Sequence, residues 1–422
     1  MLAFGLEIPT TEAFIYYKVC LARINDTTIC ENLSNGSYEA EENLVQASSS
    51  HWLLAAKLSY HIPGFIASFI YGALSDRVSR KLVLLLPSVG QLIGAAFLLL
   101  NALCPQWPMA AVMLCPLAAG IGGGWMTCLL ACFSYLSEVS SEESRTFHVV
   151  VVETTLSASL ATSYFFGGMI LDHTSYRTVA ALAVACNSCT VVYTLARIAE
   201  ISRRRTGDKG ITCGQFCASV CQPRELKKMA AILTKKREHS RRLYIIAILG
   251  MVVSGQASIQ PVFSLGYLYV KRYPLSWSQS LYGQYTGTWT AVAGASAIIL
   301  VPLLKDRLHV AETKMLVASV VSMGLAILLY GVSVTTWMMF MVPLAGFMMD
   351  LQYTLLRSMI SKMVEKHELG QVFALFAAMQ GLALIVSSML FNNLYPYTLH
   401  VWNGLCFLIG ATLCLVPTSL AV

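Results

Sequence analysis

Charge is scarce in this sequence. Asp, Glu, Lys and Arg make up 12% of its 422 residues, about half the share found in soluble globular domains. With 56% hydrophobic residues and a mean hydropathy of +0.63, a water-soluble fold would leave apolar surface with no core to enter, so the chain reads as a polytopic membrane protein. A basic n-region is missing at the start: Met1 to Cys20 carries Glu7 and Glu12, which argues against a cleavable signal peptide. No loop holds a nucleophile–base spacing or a metal-ligand motif, so neither an enzyme nor a metal or cofactor site is expected. The formal charge of +7 sits in loops, where it orients the chain in a bilayer rather than binding nucleic acid. Most of the 13 Cys fall inside apolar runs, as small packing residues.

What is present is a series of long apolar runs. Residues 1–19 form a weak and short span, interrupted by Glu7, Pro9, Thr10, Thr11 and Glu12, as if the front of the first helix were missing. Residues 20–50 are polar and hold three glycosylation sequons, at Asn25, Asn32 and Asn35, which places this loop on the lumenal or extracellular side. Apolar spans follow near 51–74, 82–103, 109–136, 147–171 and 177–198; after a basic segment, 199–242, six more lie near 243–268, 280–304, 315–334, 337–359, 370–394 and 399–420. Alternate loops at 75–81, 139–145, 199–242, 305–314 and 361–368 contain 21 Lys and Arg against 4 in the opposite set. The richer set is therefore cytoplasmic, as are both termini.

Between the second and third spans lies Gly72-x-x-x-Asp76-Arg77-x-x-Arg80-Lys81, which resembles the loop after the second helix of major facilitator transporters. Asp306-Arg307, six spans later, echoes Asp76-Arg77. The fold class is therefore all-α: a polytopic membrane protein of major facilitator type, with about 12 transmembrane helices and a short first one. Its domains are an N-terminal six-helix bundle (1–198) with a sequon-bearing outer loop (20–50), a basic cytoplasmic linker (199–242) and a C-terminal six-helix bundle (243–422). In that architecture the solute binds between the halves near the midplane.

A narrower resemblance is to solute carrier family 46, which contains the proton-coupled folate transporter. It rests on Val139 to His148 with Glu153, on Leu356-Arg357-Ser358 to Val364, on Phe391 to Thr398, and on Pro274 to Trp277 with Tyr282 and Gly283. The resemblance implies proton-coupled transport, with a coupling role for Glu153 and a substrate role for Arg357. Three positions depart from the family. Ser276 stands where a Cys paired to the first outer loop is frequent. Gly122-Gly123-Gly124 stands where the folate transporter has an Asp, and Ser280 to Leu304 holds no His. Cys30 pairs with Cys20, pairs with Cys104, or stays free.

The ionisable and polar residues inside spans are the candidates for transport chemistry. Glu153 is either a buried proton-coupling carboxyl or a structural one. Arg357 either meets an anion or pairs with Asp350. Lys57 and His61 share a helical face; the first contacts substrate or snorkels, the second relays a proton or packs. Gln256, Ser258 and Gln260 before Pro261 suggest an unwound stretch lining the path, with Tyr282, Gly283 and Gly287 beside it. Gly120 and Gly124 suit close helix packing. Asp76, Arg77, Arg80, Glu138, Asp306 and Arg307 are read as gate residues. Cys213, Cys217 and Cys221 mark a linker helix lying on the membrane or a palmitoylated one. The sequence thus points to a secondary transporter of a small organic solute coupled to protons, folate-like or another organic anion. It would reside in the plasma membrane or an endosomal or lysosomal membrane. The alternatives are an endolysosomal exporter of a non-folate molecule and a transport-inactive receptor on the same scaffold.

Overall fold

The computed structural model describes residues 1–77, 80–139, 142–200, 241–365 and 368–421. The Cys213, Cys217 and Cys221 stripe lies outside them, and so do the side chains of Asn35, Asp76, Arg77, Glu138 and Asp306. Among the described residues the regular structure is all helical: α1 (Leu2–Ile24), α2 (Thr27–Asn32), α3 (Glu39–Arg77), α4 (Arg80–Leu103), α5 (Leu114–Ile121), α6 (Gly124–Val139), α7 (Glu142–His173), α8 (Tyr176–Arg197), α9 (Arg241–Lys271), α10 (Gln279–Pro302), α11 (Glu312–Val332), α12 (Thr336–Ala345), α13 (Leu351–Lys362), α14 (Leu369–Thr398), α15 (Leu405–Leu413) and α16 (Leu415–Ala421). Six of these are long and apolar enough to cross a membrane, among them α4, α8, α9 and α11.

Two compact units emerge. The first comprises Met1–Asn25, Ala55–Gln222 and Ser278–Gly287, and the second Asp26–Leu54, Pro223–Trp277 and Thr288–Val422. Each unit borrows a segment across the central linker: the first takes the opening turns of α10, the second the opening turns of α3. In the first unit α4 packs on α8, and α1 on α7 and α8. In the second, α9 packs on α14 and α15, and α11 on α12 and α15.

Three features depart from the sequence reading. First, α1 is an unbroken helix of 23 residues, about 35 Å long at 1.5 Å per residue and so long enough for hydrocarbon. Of the residues read as interruptions, Glu7, Pro9, Thr10 and Glu12 are buried, and Thr10 donates to the Leu6 carbonyl at 2.6 Å; further along, Lys18 Nζ donates to the Trp107 carbonyl at 2.8 Å. Second, α9 runs unbroken through Pro261, where an unwound stretch was expected. Gly410 of α15 seats against the Ser258 carbonyl and the Pro261 ring. Third, the fourth and tenth spans are broken, although their sequences read as continuous. The fourth stops at Ile121 and restarts at Gly124, with Gly123 at φ 102° and Gly124 at φ 60°, a conformation that glycine alone adopts freely. The tenth breaks between Ala345 and Leu351. Ser322 of α11 fills that gap, donating to the Ala345 carbonyl at 2.6 Å and accepting from the Met348 N–H at 3.3 Å.

Cys20 and Cys30 are each disulfide-bonded and Cys104 is a free thiol, which removes the Cys30–Cys104 pairing and the free Cys30 from the alternatives left open by the sequence. Lys81 donates to the Leu195 carbonyl near the C-terminus of α8 at 2.8 Å, where a cation meets the negative end of the helix dipole.

Candidate functional site

In the first unit the chemistry gathers around α1. Glu12 is 9% exposed, and its carboxylate lies 3.5 Å from Lys57 Nζ on α3. Tyr282, one turn into α10, donates its hydroxyl to the other Glu12 oxygen, also at 3.5 Å. An acid, a base and a phenol from three helices thus share one buried spot. The placement of Tyr282 follows from glycine: Gly283 and Gly287 lie against the carbonyls of Tyr164 and Ala161 on α7, and Gly168 lies against that of Gln279. These helices approach to backbone contact, so the two α10 glycines serve packing. Asp172 then caps α10, accepting from the Gln279 and Ser280 N–H groups at 3.2 and 2.7 Å, a carboxylate at a helix N-terminus.

One turn further along α1, Glu7 is 6% exposed and accepts from Asn187 of α8 at 2.7 Å. Phe4 stacks on Trp125 with centroids 5.3 Å apart and lies 6.4 Å from the Tyr60 ring. Tyr60 accepts the Trp125 N–H at 2.7 Å, which satisfies one of the amides exposed where the fourth span breaks. His61 lies edge-on to Tyr60 at 5.0 Å. Gly120 lies against the Tyr60 carbonyl, the close packing expected of it.

In the second unit, Gln256 is 7% exposed and its side-chain carbonyl accepts from Tyr353 of α13 at 3.2 Å and Gln380 of α14 at 3.3 Å. Gln260 donates to Ser388 at 2.7 Å. Arg357 is exposed, with its guanidinium 5.2 Å from the centroid of the Phe376 ring, a cation–π geometry.

Among the predicted site residues, then, Lys57 and Tyr282 converge, and they do so on Glu12, which the sequence reading had counted as an interruption. Glu153 departs from its predicted burial: its side chain is exposed on α7, while α1 meets that helix near Ser163 and Gly167. Arg80 is buried, whereas Arg307 is exposed. Asn25 and Asn32 are exposed, and Asn25 ends α1 in the left-handed conformation, φ 55°. Glu7, Glu12, Asp172, Tyr353 and Gln380 were missed. For Glu7 and Glu12 the available signal was an acid inside an apolar helical stretch; for the others the sequence holds none, because their partners are more than 90 residues away. No group of metal-binding side chains occurs among the described residues.

Residues 28–388 match the family model described as the Major Facilitator Superfamily. The lysosomal proton-coupled steroid conjugate and bile acid symporter of Gallus gallus is 27% identical, over 98% of this chain and 89% of that protein. The proton-coupled folate transporter of Rattus norvegicus is 28% identical, over 99% and 88%. Among solved structures, the human organic anion transporter MFSD10 superposes with a TM-score of 0.64 at 14% identity, covering 100% of this chain and 98% of that one. The nucleoside transporter NupG superposes with a TM-score of 0.63 at 15%, covering 99% and 97%. Likeness at this level of identity is a likeness of fold.

Proposed function

The chain belongs to the Major Facilitator Superfamily, and on that premise we propose that it is a secondary transporter that moves a small organic anion together with protons. The observation that carries this reading is Glu12 of α1 meeting Lys57 of α3 and Tyr282 of α10. An ion pair held in hydrocarbon costs desolvation that apolar packing would avoid, so its retention argues for use. A proton arriving at Glu12 neutralises the carboxylate and frees Lys57 for an anion; a departing anion returns Lys57 to Glu12 and releases the proton.

The aromatic group Phe4, Tyr60 and Trp125 of the first unit suits a solute with a flat or ring-bearing apolar body; Arg357 of the second unit, over the Phe376 ring, keeps the anion role that the family resemblance implies. Both relatives are named for such solutes: folate in one case, steroid conjugates and bile acids in the other. Gln256, held by Tyr353 and Gln380, and Gln260 supply polar contacts on the same reading. His61 beside Tyr60 and the exposed Glu153 serve proton transfer, and the charged loop residues around Asp76 and Asp306 serve gating. The sequon-bearing loop faces the lumen or the outside, with glycans on Asn25 or Asn32. The membrane is the plasma membrane or an endosomal or lysosomal one.

The test is uptake into proteoliposomes under an imposed pH gradient, acid outside, with labelled folate and a labelled bile acid in parallel. Acid-stimulated uptake of either supports the reading and names the solute class. No uptake of either, with no competition between them and no solute-driven proton movement, refutes it.

A further inference from the structure

We infer that Glu42 is a second proton-binding residue, on the sequon-bearing face, and that protonation there fastens Glu39–Ser50 of α3 onto the ends of α9 and α14. The inference rests on the transport reading for its role in the cycle, but its geometry is independent of that reading. With 39 residues, α3 is about 58 Å long, nearly twice the ~30 Å of hydrocarbon. Its apolar run begins at His51, and we take the polar stretch Glu39–Ser50, about 18 Å of helix, to lie outside the hydrocarbon.

That projection is attached by one stripe at helical spacing. Glu42 accepts from the Tyr273 N–H at 3.4 Å, Gln46 donates to the Leu268 carbonyl at 3.1 Å and accepts from Tyr395 at 3.1 Å, and Ser50 donates to the Asn392 carbonyl at 2.6 Å. Val45, Gln46, Ser49 and Ser50 are fully buried and Glu42 is 2% exposed. Below the stripe, Ser276 donates to the Ser34 carbonyl at 2.5 Å and Gly36 packs under the Tyr273 ring. The hydrogen bonds of this stripe lie in the opening turns of α3, and Val45 adds a buried apolar contact beside them.

Glu42 is the titrating member. The groups around its carboxylate are Arg272 and Lys271 at the end of α9, the Tyr273 N–H, and Glu39 on its own helix. Burial pushes Glu42 up from 4.5 to about 6, outweighing the attraction of Arg272. Arg272 is 5% exposed and its Nη1 has no hydrogen-bond partner, so the pocket holds a buried cation without a close ion pair to Glu42. The sign follows from linkage. An acid whose packed value is raised binds the proton more tightly when packed, so acid favours attachment and neutral pH favours release. For values of about 4.5 free and about 6 packed, the attached-to-released ratio rises about fourfold between pH 7.5 and pH 5.5, and about 15-fold by pH 4.5. A proton from an acidic lumen or exterior thus holds the opening turns of α3 on the second unit.

Hydrogen exchange of the full chain in lipid nanodiscs, without solute or gradient, tests this. A detached stretch of 12 residues is a marginal helix and its amides exchange. After correction for intrinsic rates, Glu39–Ser50 should be about fourfold better protected at pH 5.5 than at pH 7.5, and Glu42→Gln should abolish that difference. Gln46→Ala should weaken protection at both pH values, while α9 stays protected as evidence of folding. Equal wild-type protection at the two pH values, or an unchanged pH dependence in Glu42→Gln, overturns the inference. Because no transport is measured, a failure of the transport reading leaves this result standing, and the reverse holds equally.

Discussion

Replacing Glu12 by Gln keeps the shape of the side chain and removes its charge. Two unit charges 3.5 Å apart attract by about 5 kcal/mol at an effective dielectric of about 20. Desolvation and side-chain ordering offset part of this. Breaking a fully buried pair costs about 3–5 kcal/mol, but these side chains are 11% and 17% exposed, so about 2–3 kcal/mol is expected. The assay is a four-member cycle of wild type, Glu12→Gln, Lys57→Met and the double variant, followed by unfolding in mixed detergent. Each single variant strands a partner and the double variant strands none, so the coupling energy should be about 2 kcal/mol. In proteoliposomes Glu12→Gln should lose acid stimulation, with at least tenfold slower uptake under a pH gradient, equivalent to about 1.4 kcal/mol. Single effects that add to within about 0.5 kcal/mol, or an unchanged acid stimulation, would refute the argument that this pair carries the proton.

Other consequences follow from neighbouring residues. Glu7→Gln should be nearly silent, because a Gln carbonyl still accepts from Asn187, whereas Glu7→Leu strands that amide and should cost about 1–3 kcal/mol in the same unfolding assay. Tyr282→Phe removes one long hydrogen bond and should cost about 0.5–1.5 kcal/mol, while shifting the pH profile of uptake less than Glu12→Gln does. Arg357→Ala should raise the half-saturating solute concentration about tenfold or more, and Arg357→Lys should only partly restore it, since a lysine lacks the planar fork and its stacking on Phe376; equal rescue by Lys would reduce the role to charge. Gly120→Ala should lower stability by about 1–3 kcal/mol, because its Cβ would press on the Tyr60 carbonyl of α3.

The all-helical membrane architecture, the positions of the spans and the charge bias of the loops could be read from the sequence, because each depends on quantities local in the chain: run length, apolar content and the placement of Lys and Arg. Lys57 and Tyr282 could be suspected for the same reason, being polar where the pattern calls for apolar. What the tertiary structure decided was partnership. Glu7 and Glu12 looked like flaws in a weak first helix until Asn187, Lys57 and Tyr282 were brought to them from 45 to 270 residues away. Pro261 looked like a break but is packed into a continuous helix, while the glycines after Ile121 and the stretch after Ala345 broke spans that composition alone ran through. The attachment of Glu42, Gln46 and Ser50 to the distant ends of α9 and α14 had no sequence signal, since a helical stripe of polar residues reads as a wet face until another helix covers it. Hydrophobic partition depends on the chain's own composition, but the pairing of buried polar groups depends on which helices meet, and only the folded packing settles that.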